Sequence, residues 1–191
     1  MYEVELKVAT DHESVEARLE SVGATHVETV TQEDTYYNAP DRDFVETDEA
    51  LRIRREEPET GPARTALTYK GPLVDSHSKT REEAETYVED AEAMHAILTG
   101  LGYDASATVT KHRARYELDG CTVTLDTIEG LGEYVEVELE TDQELSSDDG
   151  GDVLASLRGE AVTTLRELGL DPDEQIRTSY LDLLLDERDG A

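Results

Sequence analysis

The stretch MYEVELK, residues 1–7, sets Glu3, Glu5 and Lys7 on alternate positions, with Tyr2, Val4, Leu6 and then Val8 between them. Successive side chains of a strand point to opposite faces, so the spacing predicts a strand over 2–9 with one charged and one apolar face. On a single strand such a charged face ordinarily meets water. The fold turns on whether it does so here.

The same alternation recurs along the chain. Arg52 and Arg54 alternate with Leu51 and Ile53, and Lys70 shares a face with Thr68. Arg81, Glu83 and Glu85 share another face, as do Lys111, Arg113 and Arg115. Thr122, Thr124 and Asp126 lie opposite Cys121, Val123 and Leu125, and Glu136, Glu138 and Glu140 lie opposite Val135, Val137 and Leu139. Lys7, Arg52, Arg54, Lys70, Arg81, Lys111, Arg113 and Arg115 are eight of only 17 basic residues in a chain with 47 acidic ones. Nearly half of a scarce cation set therefore sits at period two in predicted strands. If these faces turn into a closed barrel, the interior is a dense mixture of cations and carboxylates. Burial of that kind requires pairing or a charged occupant.

The remaining pattern fits such a barrel. Further strands are predicted over 25–39, 50–57, 64–73, 78–89, 107–120, 121–130 and 132–140. Asp119-Gly120 marks a hairpin, and Gly130-Leu131-Gly132 a turn that lacks the third glycine of a dinucleotide loop. Helices are expected over 11–22, capped by Asp11 and ended by Gly23, and over 90–103, 153–170 and 179–187. Residues 40–49 and 142–152 read as loops. The class is α+β, with enough antiparallel strands to close a barrel.

Composition narrows the partners. A net charge of -30 disfavours nucleic acid and anionic membranes as partners, and it fits a folded protein from a high-salt cytoplasm. No apolar run approaches the ~20 residues of a spanning helix, and the N-terminal residues show no signal-peptide plan, so a cytoplasmic location is expected. Cys121 is the single cysteine and reads as a small buried residue. His12, His26, His77, His95 and His112 show no metal-ligand spacing. Clustered Arg and Lys suit a polyanion, and carboxylates at i, i+2 suit a hard divalent cation. Together they are the ingredients of metal-assisted phosphoryl or nucleotidyl transfer.

The segments EVELK, ALRIRR, TYKGP, SKTREE, TVTKHRARY and EYVEVE, in this register, resemble the CYTH superfamily of triphosphate tunnel metalloenzymes. The likeness runs over nearly the whole chain and is greatest to the class IV adenylate cyclase branch. It implies one domain over 1–191, built as a closed eight-stranded antiparallel tunnel with peripheral helices, those at about 153–187 packing on the barrel and the last closing one end. It implies that Lys7, Arg52, Arg54, Lys70, Lys111 and Arg113, with Arg81, bind a triphosphate. It further implies that Glu3, Glu5, Glu136 and Glu138 hold Mg²⁺ or Mn²⁺, with Asp126, Glu83 and Glu85 as further candidates, and that Glu3, Glu5 and Lys111 are catalytic. The expected reaction is cyclisation of ATP to cyclic AMP and pyrophosphate. The alternatives are hydrolysis of inorganic or thiamine triphosphate, or binding without turnover. Dimerisation is implied by resemblance only.

Overall fold

The computed structural model describes residues 1–74, 78–143 and 150–189. Eight strands close into an antiparallel barrel in the order β1-β5-β4-β3-β2-β6-β7-β8. These are β1 (Tyr2–Ala9), β2 (Thr25–Asn38), β3 (Ala50–Pro58), β4 (Arg64–Leu73), β5 (Lys79–Tyr87), β6 (Asp104–Leu118), β7 (Cys121–Ile128) and β8 (Gly132–Thr141). The expected closed eight-stranded fold is therefore the observed one. Asp119 and Gly120 form the β6–β7 turn with φ of 50° and 87°, the left-handed pair that a tight hairpin needs.

The apolar faces of the strands point outward and are covered by helices. Helix α1 (His12–Val22) starts where the Asp11 carboxylate accepts from Glu13 N at 3.0 Å and ends at Gly23, φ 81°. Its Val15 and Leu19, one turn apart, bury against Leu6 and Val8 of β1 together with Ala161 and Leu165 of α4 (Gly150–Glu167). The outer residues of β7 and β8, Val123, Leu125, Val135, Val137 and Leu139, complete this core. Each such aliphatic side chain contributes roughly 1.5–3 kcal/mol by burial. A second cluster joins Leu51 and Ile53 of β3 to Leu98 of α3 (Ala91–Gly100) and Phe44 of α2 (Phe44–Thr47).

One barrel end is filled from within. Val109, Ile128 and Tyr134, on inward positions of β6, β7 and β8, pack with Tyr180 at the start of α5 (Tyr180–Asp189) and with Ile176, Leu181 and Leu184. Both C-terminal helices thus pack on the barrel, and α5 closes an end. Pro172 opens a 3-10 turn (Pro172–Glu174), and Ile176 N donates to Lys7 O at 2.7 Å, which ties the chain entering α5 to β1.

Several bounds shift by a few residues from the sequence reading, and two differences have a local cause. Residues expected as loop hold α2, a single turn capped by Asp43, whose carboxylate accepts from Val45 N. Four residues are too few to show a helical period. Strand β6 starts three residues before the expected 107, because Asp104 pairs with Asn38 past an irregularity at Tyr36/Tyr37. Its first residues lack the β-branched side chains that mark a strand. The expected acidic loop falls largely outside the described residues, as does His77.

Candidate active site

The charged face of β1 looks inward. The barrel encloses a cavity of about 490 Å³ lined by charge on all sides. Nine of the chain's 17 cations line it: Arg52, Arg54, Arg64, Lys70, Lys79, Arg81, Lys111, Arg113 and Arg115. Lys7 is buried in its wall, only 1% exposed. Glu3, Glu5, Glu83, Glu85, Glu136 and Glu138 line it too.

Strand register dictates how these charges meet. Asp34 stands opposite Arg54 across β2–β3, and Arg54 Nε and Nη2 donate to its two oxygens at 2.6 and 2.7 Å. Asp126 stands opposite Arg113 across β6–β7, and Arg113 grips it through two bonds of 2.6 Å. Lys111 Nζ is 3.3 Å from Asp126, and Arg52 Nη1 3.3 Å from Asp34. Burial favours the neutral form of both aspartates, yet these cations hold both carboxyls well below their usual range. Lys70 pairs with Glu83 opposite it and with Glu3 at 3.0 Å. Arg81 turns to the end of α2, donating to Asp48 O at 2.8 Å and to its carboxylate at 2.7 Å. Glu85 accepts from Thr68 Oγ1 at 2.8 Å near an open mouth.

Between β1 and β8 the rule of opposites holds for Lys7 and Glu136 and breaks at the next two inward pairs. Glu5 faces Glu138 in register, and Glu3 faces Glu140. Like charges directly across a sheet repel. Glu5, Glu136 and Glu138 bring one oxygen each to within 4.8 Å of one another. Burial raises Glu138 to about 7 despite Arg113 at 3.1 Å, with Glu3, Glu136 and Glu5 adding to the rise. Burial likewise raises Glu3 to about 7 against the pull of Lys70. Glu5 and Glu136 go the other way, to about 2. Burial and acidic neighbours push both up, but Lys79, Lys7 and Lys70 outweigh this at Glu5, as Arg113, Lys111 and Lys7 do at Glu136. An oxygen-only trio with an in-register repulsion fits a hard divalent cation, which such donors prefer. Among the described residues Glu3, Asp126, Glu83 and Glu85 lie outside that trio, with Glu3 and Glu83 on Lys70 and Asp126 on Arg113.

The strand phases bring together all the expected cations of the site, with Arg81 at the α2 side of the cavity it lines. They also bring in residues that the sequence reading passed over. Lys79, two positions before Arg81, lies inside with Nζ 3.4 Å from Glu5, and burial lowers it to about 8. Extending the alternation of β5 backward by one step finds it. Asp34 is inward by the same rule on β2, two residues from Tyr36. At the open mouth Arg64 and Arg115 both bind Glu28 and Glu56, and Gln32 bonds Glu56. That cluster gathers four strands, and no single segment announces it. His95 Nδ1 meets Tyr37 Oη at 2.8 Å, and His112 Nδ1 meets Thr31 Oγ1 at 3.0 Å on the outer face.

Comparison with known proteins agrees with this geometry. A model of the CYTH domain matches residues 1–180. A Methanocaldococcus jannaschii protein named "Putative adenylate cyclase" is 39% identical over 184 residues, spanning 96% of this chain and 98% of that one. Adenylate cyclase CyaB of Aeromonas hydrophila is 29% identical over 113 residues, 59% of this chain and 54% of that protein. The solved structure of a Pyrococcus horikoshii protein superposes with a TM-score of 0.84 at 37% identity, covering 97% of this chain and 99% of that one. With a whole-length family match laid over a tunnel of paired cations and carboxylates, the chain belongs to the CYTH domain family, as an enzyme that acts on triphosphates.

Proposed function

We propose that the chain is a class IV-like adenylate cyclase that requires Mg²⁺ or Mn²⁺ and converts ATP to cyclic AMP and pyrophosphate. The observation that carries the metal is the in-register opposition of Glu5 and Glu138 inside an oxygen trio completed by Glu136. Support for cyclisation over hydrolysis comes from the two curated relatives named adenylate cyclases.

In this reading Glu5, Glu136 and Glu138 hold the ion, with Glu3 beside them. The bound ion supplies charge neutralisation and acidifies an oxygen it touches. Lys7, Arg52, Arg54, Lys70, Lys111 and Arg113, with Arg81, receive the triphosphate, and Arg forks suit its oxygens geometrically. Their fixed placement around the cavity holds the chain of phosphates in line. The ribose 3′-hydroxyl oxygen attacks the α-phosphorus as its proton passes to solvent, the bond from that phosphorus to the bridging oxygen breaks, and pyrophosphate leaves with the bonding electrons. Lys111 is lowered to about 8 by burial and by Arg113, so it can exchange a proton near neutrality. Asp126, clamped by Arg113, fixes the orientation of both cations.

The test is product analysis in high salt with Mg²⁺ or Mn²⁺ and either ATP or tripolyphosphate. Cyclic AMP with pyrophosphate is expected. Orthophosphate from tripolyphosphate without cyclic AMP overturns cyclisation in favour of hydrolysis. Glu5→Gln is expected to lower metal-dependent turnover by roughly 10²-fold or more, the scale of one lost preorganised electrostatic contact, while the fold persists. Full activity in that variant would falsify the metal assignment.

A further inference from the structure

Tyr180 lies where no strand pattern points. It opens α5, yet its side chain lines the cavity. Lys7 Nζ sits 4.3 Å from its ring centroid and Lys111 Nζ 5.3 Å. The ring is held edge-on by Tyr134, centroids 5.1 Å apart, and the backbone leading to it is stitched to Lys7 itself through Ile176 N and Lys7 O.

The two lysines have few other close partners. Lys7 Nζ reaches Glu5 at 3.5 Å and Glu136 at 3.7 Å, and Lys111 reaches Asp126 at 3.3 Å. These are long contacts beside the 2.6 Å bonds of Arg113 and Arg54. An aromatic face attracts an ammonium without accepting a directed N–H bond in the way a carboxylate does. The N–H groups therefore stay available to a ligand while the ammonium stays in place.

The hydroxyl adds a second observation. Tyr180 Oη is buried and has no hydrogen-bond partner among the described residues, whereas the hydroxyls of Tyr37 and Tyr69 meet His95 and Glu49. No described protein group repays the burial of the phenol oxygen with a bond. What the position uses is the ring.

We propose that Tyr180 is a positioning residue of the triphosphate site: α5 inserts its ring beneath the ammonium groups of Lys7 and Lys111 and holds both toward the bound phosphates. The inference rests on the assignment of these two lysines to the triphosphate. It makes α5 part of the site as well as a plug, and it couples closure of the barrel end to the geometry of the cations within.

Two substitutions separate this role from packing. Leu supplies an apolar side chain against Tyr134, Leu181 and Leu184 but no π face, and Phe keeps the face and drops the partnerless hydroxyl. Tyr180→Phe is expected to bind tripolyphosphate, measured calorimetrically with Mg²⁺, within about threefold of the parent, and to melt no lower than the parent. Tyr180→Leu is expected to weaken binding and raise KM by about tenfold, with a smaller change in kcat. A packing role predicts that Leu and Phe behave alike. Equal affinity in a folded Leu variant, or equal losses in both, would overturn the proposal. If Leu prevents folding, a Phe variant with weakened binding is sufficient to overturn it, and one with parental binding supports it. A parent that binds tripolyphosphate but yields no cyclic AMP counts against cyclisation alone, whereas a parent that binds neither tripolyphosphate nor ATP overturns both readings.

Discussion

Glu5 and Glu138 face each other across β1 and β8, yet burial and neighbours send their carboxyls in opposite directions. The consequence is a pH dependence with a definite sign. Glu3 and Glu138 are raised from 4.5 to about 7, so their contribution to folding is fully present below 4.5 and is lost as pH rises through 7. Glu5 and Glu136, lowered to about 2, contribute above 4.5 and lose that contribution as pH falls through 2. The metal-free protein is therefore expected to melt highest near pH ~5 and lower at pH ~8, at fixed high salt. Glu138→Gln removes one buried charge and should raise Tm at the alkaline end, by about 2–4 °C for each kcal/mol recovered in a chain of this size. Mn²⁺ should stabilise the parent more at pH ~8 than at pH ~5, because the ion displaces protons from its carboxylates. Melting points that do not change between those pH values, in parent and variant alike, would remove the basis of this ranking. Period two placed Glu3, Glu5, Glu136 and Glu138 on the charged faces of their strands, and the gathering of scarce cations on the same faces turned those faces inward. Which of them keeps a proton was not legible, because that depends on the residue opposite, and register across the barrel is a property of eight strands together.

At the scale of elements, the barrel is held on its inside by opposite charges in register. Asp34 on β2 with Arg54 on β3, and Asp126 on β7 with Arg113 on β6, are buried pairs with two short bonds each. Such a pair contributes little over an apolar replacement, but removing one partner strands the other charge. Asp34→Asn should therefore cost about 3–5 kcal/mol, read as a lowered midpoint in denaturant titration. Pairing it with Arg54→Gln should return part of that loss, since the two sites share one interaction. A single variant as stable as the parent would mean that Arg54 finds another partner. The elements themselves were mostly readable. Asp11, Val15, Leu19 and Gly23 spell a capped amphipathic helix, and Asp119-Gly120 spells a hairpin. Helix α2 was not readable, since one turn has no period to detect and its Asp43 cap looks like any acidic loop residue. The role of α5 was half readable. Its leucines signalled a packed helix, but nothing local to Tyr180 says that two lysines from β1 and β6 converge on its ring.

The molecule as a whole separates its charges. Nine cations and twelve carboxylates line the cavity, so most of the excess that gives a net charge of -30 lies on the rest of the chain. Exposed charges repel through water and are screened over about 8–10 Å at moderate ionic strength, whereas buried pairs are screened far less. The two populations should thus answer salt differently. Raising KCl from about 0.1 M to about 2 M is expected to raise Tm substantially by relieving repulsion on the outside, while the inner pairs persist. Anionic tripolyphosphate, which must approach a strongly negative body, should associate faster as salt rises until screening of the tunnel cations takes over. A rate that falls monotonically from low salt would show that the mouth, with Arg64 and Arg115, governs approach instead of net charge. A neutral osmolyte that raises Tm as much as KCl would show that exclusion from the surface, and not screening, is the cause. The expected result is that KCl acts well beyond the osmolyte, because the term being relieved is Coulombic and sits on the outer surface of the barrel and its helices.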